Sequence, residues 1–370
     1  MMKKIKLSLI ICMCLIFNGC FNYKDINRVL FMTSIIVDID EDNNPILYME
    51  TFKPYRSATA GSEKGERIIY KGNAKTVFET IRDVGLSSSY KLNATQNKAI
   101  IFTEKAAAYG IDNFIDLFDR DQEFLVRQYI AIYEGDVERL LKSKFKSEEY
   151  IGIFLTDLMD NIGTSSRAVE LSINDYLNKR EQPSRTCVLT VLKMNEDQIN
   201  DLIGIDGGAV VKDDKMVDRL PKDKSQGYNF IIDKVKSGTL EVSNPEHDEK
   251  FVTLEIRNSK TKTKLSYDGN SVKLKKIIKV RTNFGETQDS INITDGEIYT
   301  IARRAERNIE LSCKDVFNEY KQKNLDIFNV EKEFNIKYPH EKLNEVLKNT
   351  EIDVEVHVDI EGSSTKLNFK

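Results

Sequence analysis

A change of hydrophobic period near the C-terminus restricts the fold more than any other feature of the sequence. Between Thr294 and Tyr320 the apolar residues recur every three or four positions, which predicts a long amphipathic helix. Thr294 and Glu297 have the spacing of a capping box at its start. From Ile352 to Ile360 the apolar residues alternate strictly, as in a strand with one covered face. We therefore expect the long helix to cover one side of this strand, with Cys313 on the buried face of the helix.

The remaining patterns also predict strands mixed with helices. Two strand-like runs, 29–37 and 46–52, flank the acidic turn DIDEDNNP and predict a hairpin. Further strands are predicted at 98–103, 126–133, 250–257, 262–267 and 271–282, with turns at NSK and DGN between the last three. Helices are predicted from a cap at Asn73, at 104–109, 111–118 and 147–162, from Pro221 to about Lys236, and from about Pro339 to Lys348.

These elements indicate an α+β protein with mixed and antiparallel sheets and packed helices. A chain of 370 residues is long enough for two or three folded units. We predict an N-terminal mixed α/β domain over 20–185, a small middle domain over 186–236, and a C-terminal domain over 237–370. The last domain combines an antiparallel sheet with the long helix.

The first 20 residues have the pattern of a lipoprotein signal. Three lysines, Lys3, Lys4 and Lys6, precede an uncharged run over 7–17, which is too short to span a bilayer. The run ends at Gly19-Cys20, like a bacterial lipobox, so we predict removal of residues 1–19 and lipid attachment to Cys20. An uncleaved signal anchor with an incidental cysteine is the rival interpretation. Of the remaining cysteines, Cys187 and Cys313 would stay in the folded body, and two buried thiols are favoured over a disulfide.

No arrangement of residues indicates catalysis, a cofactor or a metal. The turn residues Asp38, Asp40 and Asp42 match the first spacings of a calcium loop, but Asn43 and Met49 stand where such a loop needs Gly and Glu. Gly207-Gly208 lacks a phosphate-loop context, which favours a close backbone approach or a bulge. We interpret the three histidines and a group of four carboxylates as solvated surface residues. They are His247, His340 and His357, and Asp112, Asp116, Asp119 and Asp121. A net charge of −4 favours no nucleic-acid partner.

An exported, acylated protein without a catalytic signature is most often a solute-binding lipoprotein or a subunit of a membrane complex. Two-lobed solute binders consist of repeated βαβ units, whereas this sequence alternates antiparallel hairpins with helices. The pattern therefore favours the membrane-complex subunit and keeps direct solute binding as the alternative.

Several segments in order resemble the C subunits of spore germinant receptors. They include the Gly-Cys pair with the polar segment ending at Asp25-Ile26, KGNAKTVFETIRDVG, and NKAIIFTEKAAAYGIDNFIDLFDRDQEFLVR. Similar segments follow in GGAVVKDDKMVDRL, in DIF at 326–328 and in YP at 338–339. The sequence departs from the family at Val211 and Asp218, at Asn329 in place of a glycine, and at Phe21 in place of a tryptophan.

The resemblance implies a three-domain lipoprotein on the outer face of the spore inner membrane. It further implies a complex with a membrane-embedded A subunit and a transporter-like B subunit, required for nutrient-triggered germination. We expect a tethering and scaffolding role for this chain. The solvent side of the final sheet or the loop at 54–66 is the predicted contact with the other subunits, and an ordinary solvated surface is the rival interpretation of both segments.

Overall fold

The computed structural model describes residues 28–53, 65, 67–143, 148–195, 202–292, 294–361 and 368–369. Cys20, Phe21 and nearly all of the loop at 54–66 lie outside these residues. Over the described part, the chain forms one large mixed sheet, a smaller C-terminal sheet and a two-stranded pair.

The large sheet begins with the predicted hairpin, β1 (Val29–Ile39) and β2 (Pro45–Phe52), followed by β3 (Arg67–Asn73). Its further strands are β4 (Lys91–Asn93), β5 (Ala99–Thr103), β6 (Tyr129–Glu134), β7 (Thr186–Asn195), β8 (Leu202–Lys212) and β9 (Lys215–Leu220). The order is β3-β2-β1-β5-β6-β7-β8-β9, and β4 also pairs with β1. β1, β5, β6 and β7 run parallel, because helical crossovers return the chain to the same end of the sheet.

Helices cover both faces of this sheet. On one face lie α1 (Val77–Leu86), α2 (Glu104–Tyr109), α3 (Asp112–Arg120) and, after the next two helices in the chain, α6 (Ile173–Arg180). The other face carries α4 (Val137–Lys142) and α5 (Ile151–Asn161). The continuous apolar run of β1 and β5 follows from this arrangement, since both faces of the central strands are buried.

The C-terminal unit has a four-stranded sheet beneath the long helix. Its elements are α7 (Lys222–Ile231), β10 (Gly238–Ser243), β11 (Phe251–Tyr267), β12 (Val272–Thr287), α8 (Asp295–Lys323), α9 (Val330–Lys337) and β14 (Thr350–Ile360). The short strands β13 (Ile291–Asn292) and β15 (Asn368–Phe369) pair with each other. As predicted, Thr294 caps α8, Cys313 is buried, and α8 packs against β14. These helix and strand predictions are therefore confirmed. Lipid attachment to Cys20 stays a prediction, because Cys20 lies outside the described residues.

Several predicted element boundaries are wrong. β11 continues through NSK, where a bulge near Arg257 absorbs the irregularity while the neighbouring residues stay paired with β12. β14 joins β12 in parallel, so the C-terminal sheet is mixed rather than antiparallel. The predicted helix at 339–348 is a series of turns, and the helix lies earlier, at α9. Thr76, not Asn73, caps α1, and α7 ends at Ile231, before Lys236.

The predicted boundary between residues 185 and 186 falls inside the large sheet. β7 pairs with β6 on one side and β8 on the other, so segments from both predicted domains share one hydrogen-bonded sheet. Val188, Val210 and Leu220 also join the core beneath α7 and α8. The division into three domains stays a prediction, since hydrogen bonding alone does not define units that fold independently.

Candidate interaction surfaces

The outer side of the C-terminal sheet carries opposite charges on neighbouring strands. Alternation places most apolar residues of β12 and β14 beneath α8, together with the buried Lys276, and most charged residues on the opposite side. This charged sheet face consists of a basic part on β11 and β12 and an acidic part on β14. The residues are Lys262, Lys264, Lys273, Lys275, Lys279 and Arg281, and then Glu351, Asp353, Glu355 and Asp359.

The two parts compensate each other only along their border. Lys275 Nζ lies 2.6 Å from Glu355 Oε2 and 3.4 Å from Asp353 Oδ2. The hydrogen bond from Lys275 lowers the pKa of Glu355, and the same contact raises the pKa of Lys275. Lys262, Lys264 and Lys279 form no ion pair with any residue that the structure describes. A strip of uncompensated positive charge therefore remains on β11 and β12.

A polar cavity lies between the large sheet and the C-terminal unit. It has a volume of about 390 Å³, and Asp160, Glu170, Lys179 and Tyr129 are among its lining residues. Tyr129 donates to Asp160 at 3.3 Å, and Lys179 donates to the side-chain oxygen of Asn329. Burial lowers the pKa of Lys179. The cavity thus presents both signs of charge and lies at the lower end of the roughly 300–1,000 Å³ range of small-molecule pockets.

The structure tests some of the sequence-predicted sites. Cys187 and Cys313 are separate buried thiols, as predicted, and burial raises the pKa of both, that of Cys187 to about 12. Asp40 Oδ1 accepts from the backbone N–H of Asp42 and Asn44 at 2.9 and 2.8 Å. The acidic segment is therefore a hairpin turn closed by its own hydrogen bonds.

The glycine pair and His357 also have structural explanations. β8 carries an extra residue opposite β7 at Gly207, which has a φ of +69°. This confirms the predicted bulge. His357 Nε2 lies 2.8 Å from Glu355 Oε1 on the charged sheet face. The part of the chain with assigned positions contains no group of three or more metal-ligating side chains.

Sequence reasoning missed three buried carboxylates, Glu50, Asp214 and Asp326, of which the first and last hold helix starts in place. Glu50 on β2 accepts hydrogen bonds from Arg67 and from the backbone N–H groups at the start of α5. Asp326 accepts from the backbone N–H of Phe328, Val330 and Glu331 and thereby caps α9, while burial raises its pKa. Each belongs to an ordinary strand or turn pattern, and no sequence signal separates a buried carboxylate from an exposed one.

The departure at Asn329 has a simple physical explanation. Asn329 has a φ of +64° and lies in the left-handed region, where glycine is favoured and asparagine is the usual substitute. Its side chain also accepts the hydrogen bond from Lys179. The backbone conformation that suits a glycine is therefore kept, and an additional contact joins the C-terminal unit to α6.

Among the described helices, none combines the length and apolarity required to cross a membrane. The long helix α8 is excluded by its composition, since charged residues occupy its exposed side.

Two protein-family matches together cover nearly the whole chain. Residues 22–194 match the family described as the spore germination protein N-terminal domain, and residues 206–364 match the spore germination B3/GerAC-like C-terminal family. Spore germination protein GerQC of Bacillus cereus is 27% identical over 216 residues, covering 58% of each chain. Spore germination protein B3 of Bacillus subtilis (strain 168) is 22% identical over 332 residues, covering 85% of each chain.

A solved structure has the same fold. The crystal structure of the GerBC protein aligns with a TM-score of 0.58 and 16% sequence identity. The alignment covers 88% of this chain and 96% of that chain. It supports the α+β architecture, including both the large sheet and the C-terminal unit.

Proposed function

The chain belongs to the GerAC family of spore germination proteins, and we propose that it is the C subunit of a nutrient germinant receptor. In this proposal a lipid on Cys20 holds it on the outer face of the spore inner membrane. It tethers and scaffolds the membrane-embedded A and B subunits, without a catalytic step of its own. The match of both family domains over 22–194 and 206–364 is the observation that carries the proposal.

The anchor supplies the tethering part. Two or three acyl chains hold a protein on a membrane stably, at about 0.8 kcal/mol per buried CH₂, where one chain gives only reversible binding. Confinement to the membrane raises the effective concentration of the chain beside its partners, to the millimolar range for short linkers. Weak contacts with the A and B subunits would then suffice for assembly.

We assign the docking part to the charged sheet face. Its uncompensated basic strip favours an acidic partner surface, because complementary potentials steer encounter and fix orientation more than they add affinity. The neighbouring acidic strand β14 would repel the same partner and so set the direction of docking. The loop at 54–66 remains a second predicted contact.

Affinity capture of the chain from spore inner membranes tests this assignment. We expect recovery of two polytopic subunits with the wild-type chain, and loss of both with Lys262→Glu, Lys264→Glu and Lys279→Glu combined. Lys142→Glu, on the exposed side of α4, is the matched control and should keep both subunits. Recovery of both subunits with the triple variant would contradict the docking assignment, and capture of neither with the wild type would contradict the receptor proposal.

The cavity at Lys179 favours a second candidate function, direct binding of a nutrient. Its paired signs of charge suit a small dipolar solute, as in a solute-binding lipoprotein. Calorimetry of the purified chain against nutrient amino acids separates the two candidates. Submillimolar binding that Lys179→Met abolishes would overturn the scaffold-only function, whereas absence of heat would remove the alternative.

A further inference from the structure

The parallel strands β1, β4, β5 and β6 begin at one end of the large sheet, where the described chain also starts at Arg28. We call this the leading end. We propose that the leading end lies against the lipid bilayer and inserts exposed apolar side chains into it. The inference rests on the proposed lipid anchor at Cys20, and it adds a specific membrane-contacting surface and an orientation of the folded body.

The length of the connecting segment limits the distance between the leading end and the bilayer. Arg28 is eight residues from Cys20 in the sequence. At 3.3–3.6 Å per residue, a fully extended segment of this length spans at most about 29 Å. That is less than the length of β1, an 11-residue strand of roughly 36 Å at about 3.3 Å per residue. The leading end is therefore the part of the large sheet that a lipid on Cys20 brings nearest to the membrane.

The segments at the leading end are joined into one surface. Lys53, after β2, lies over the ring of Tyr90 at 4.6 Å. The backbone N–H of Ala94 donates to Glu123 Oε2 at 3.1 Å, and Asn97 Nδ2 donates to Gln128 Oε1 at 2.8 Å. These contacts connect the segment before β5 with the segment before β6. The surface is thus fixed in shape rather than formed by independent loops.

This surface exposes apolar side chains that no neighbouring element covers in the described structure. Leu86, the last residue of α1, is 86% exposed, Val126 is 50% exposed and Leu125 is 38% exposed. Leu86 also borders a groove of about 440 Å³ whose lining includes Phe124 and Leu117. Large exposed apolar side chains beside an apolar groove are typical of protein or membrane contacts.

The charges at the surface favour apolar insertion over electrostatic attraction. Arg82 and Lys91 line this groove together with Asp83, Asp121 and Glu123. The exposed Arg127 and the half-buried Lys53 also lie at this surface. Because the signs nearly cancel, binding should not require anionic lipid. The occupant that fits is the interfacial layer of a bilayer, into which apolar side chains enter by about 5–10 Å.

Tryptophan substitution gives a direct test, because the chain contains no tryptophan. The full lipid-modified chain is reconstituted into phosphatidylcholine vesicles that contain brominated acyl chains. Leu86→Trp and Val126→Trp should show a blue-shifted emission and loss of fluorescence by bromine quenching. Tyr299→Trp, at a residue 67% exposed on α8 of the C-terminal unit, is the matched control and should keep its emission.

The same experiment separates failure of this inference from failure of the anchor. Vesicle-bound protein in which the substitutions at 86 and 126 are unquenched, or quenched no more than the one at 299, would overturn the membrane-contacting surface and leave the anchor intact. Cys20→Ala should release the chain from the membrane fraction. Mass spectrometry that finds no lipid on Cys20 of the spore protein would overturn the anchor and, with it, the premise of this inference.

Discussion

Glu50 offers the sharpest test of how the large sheet and α5 are held together. Its carboxylate is 1% exposed and accepts from Arg67 Nε at 2.7 Å and from the backbone N–H of Ile151 at 2.9 Å. The other oxygen accepts from Thr33 Oγ1 at 2.6 Å and from the backbone N–H of Gly152 at 3.1 Å. Glu50→Gln keeps the shape of this side chain and removes its charge.

The expected cost is about 3–5 kcal/mol of unfolding free energy, the range for removing one partner of a buried ion pair. Whichever oxygen of Glu50 the new NH₂ group replaces, it faces the backbone N–H of Ile151 or Gly152 and leaves that donor without an acceptor. An unsatisfied buried donor costs about 1–3 kcal/mol. The remainder comes from Arg67, whose side chain is only 12% exposed and would lose its counter-charge.

Urea unfolding and hydrogen exchange at the amides of α5 measure this effect. Exchange is needed because a chain with several cores need not unfold in one step. Glu138→Gln, in the exposed pair with Lys142 at 3.1 Å, is the control and should change stability by less than about 0.5 kcal/mol. Equal losses of stability in Glu50→Gln and Glu138→Gln would refute the reasoning. Adding Arg67→Met to Glu50→Gln should recover part of the lost unfolding free energy, and no recovery would also refute it.

Three further predictions concern packing, backbone conformation and pH. Gly152→Ala should destabilise the protein by about 1–3 kcal/mol, because the added Cβ would lie 1.9 Å from the carbonyl oxygen of Thr33. Gly163→Ala is the control and should leave stability unchanged, because a Cβ at Gly163 would enter open space. Thermal unfolding of the two variants measures the difference. Asn329→Ala should cost about 1–2 kcal/mol at a φ of +64°, whereas Asn329→Gly should cost less; similar losses in urea midpoint would contradict the backbone explanation. Burial lowers the pKa of Lys276 to about 8, so the unfolded chain binds more protons between pH 8 and about 10.4 and stability should rise with pH there. Lys276→Met should remove this rise. If the variant and the wild type show the same pH dependence of urea unfolding, the assignment of the rise to Lys276 is wrong.

The comparison of Glu50 with Lys275 illustrates why some residues could be predicted and others could not. Lys275 and its neighbours alternate with apolar residues, so the sequence indicates that they share the outer side of a strand. Glu50 occupies a similar place in the pattern of β2, but α5, which lies about 100 residues later in the chain, covers it. Its role depends on a packing partner that local periodicity does not report.

Errors in element boundaries have the same origin. The residues NSK have turn propensity, but β12 offers a continuous row of hydrogen-bonding partners, and pairing with it outweighs that propensity. At 339–348 the sequence suggests a helix, whereas Asp326 caps an earlier one and the left-handed Asn329 fixes where it begins. At NSK, pairing with the distant strand β12 outweighs the local turn propensity. At 339–348, the buried contacts of Asp326 place the helix earlier in the chain.

The sequence by itself determined the class of the protein. Local periodicity and capping established α8 and its buried face, the hairpin of β1 and β2, and the antiparallel core of the C-terminal sheet, because hydrophobic patterning acts over a few residues. Only the tertiary structure decided that β7 to β9 join the large sheet, that β14 runs parallel to β12, and that Glu50 and Asp326 are buried. These features depend on contacts between residues far apart in the chain, whose free energies no local pattern encodes.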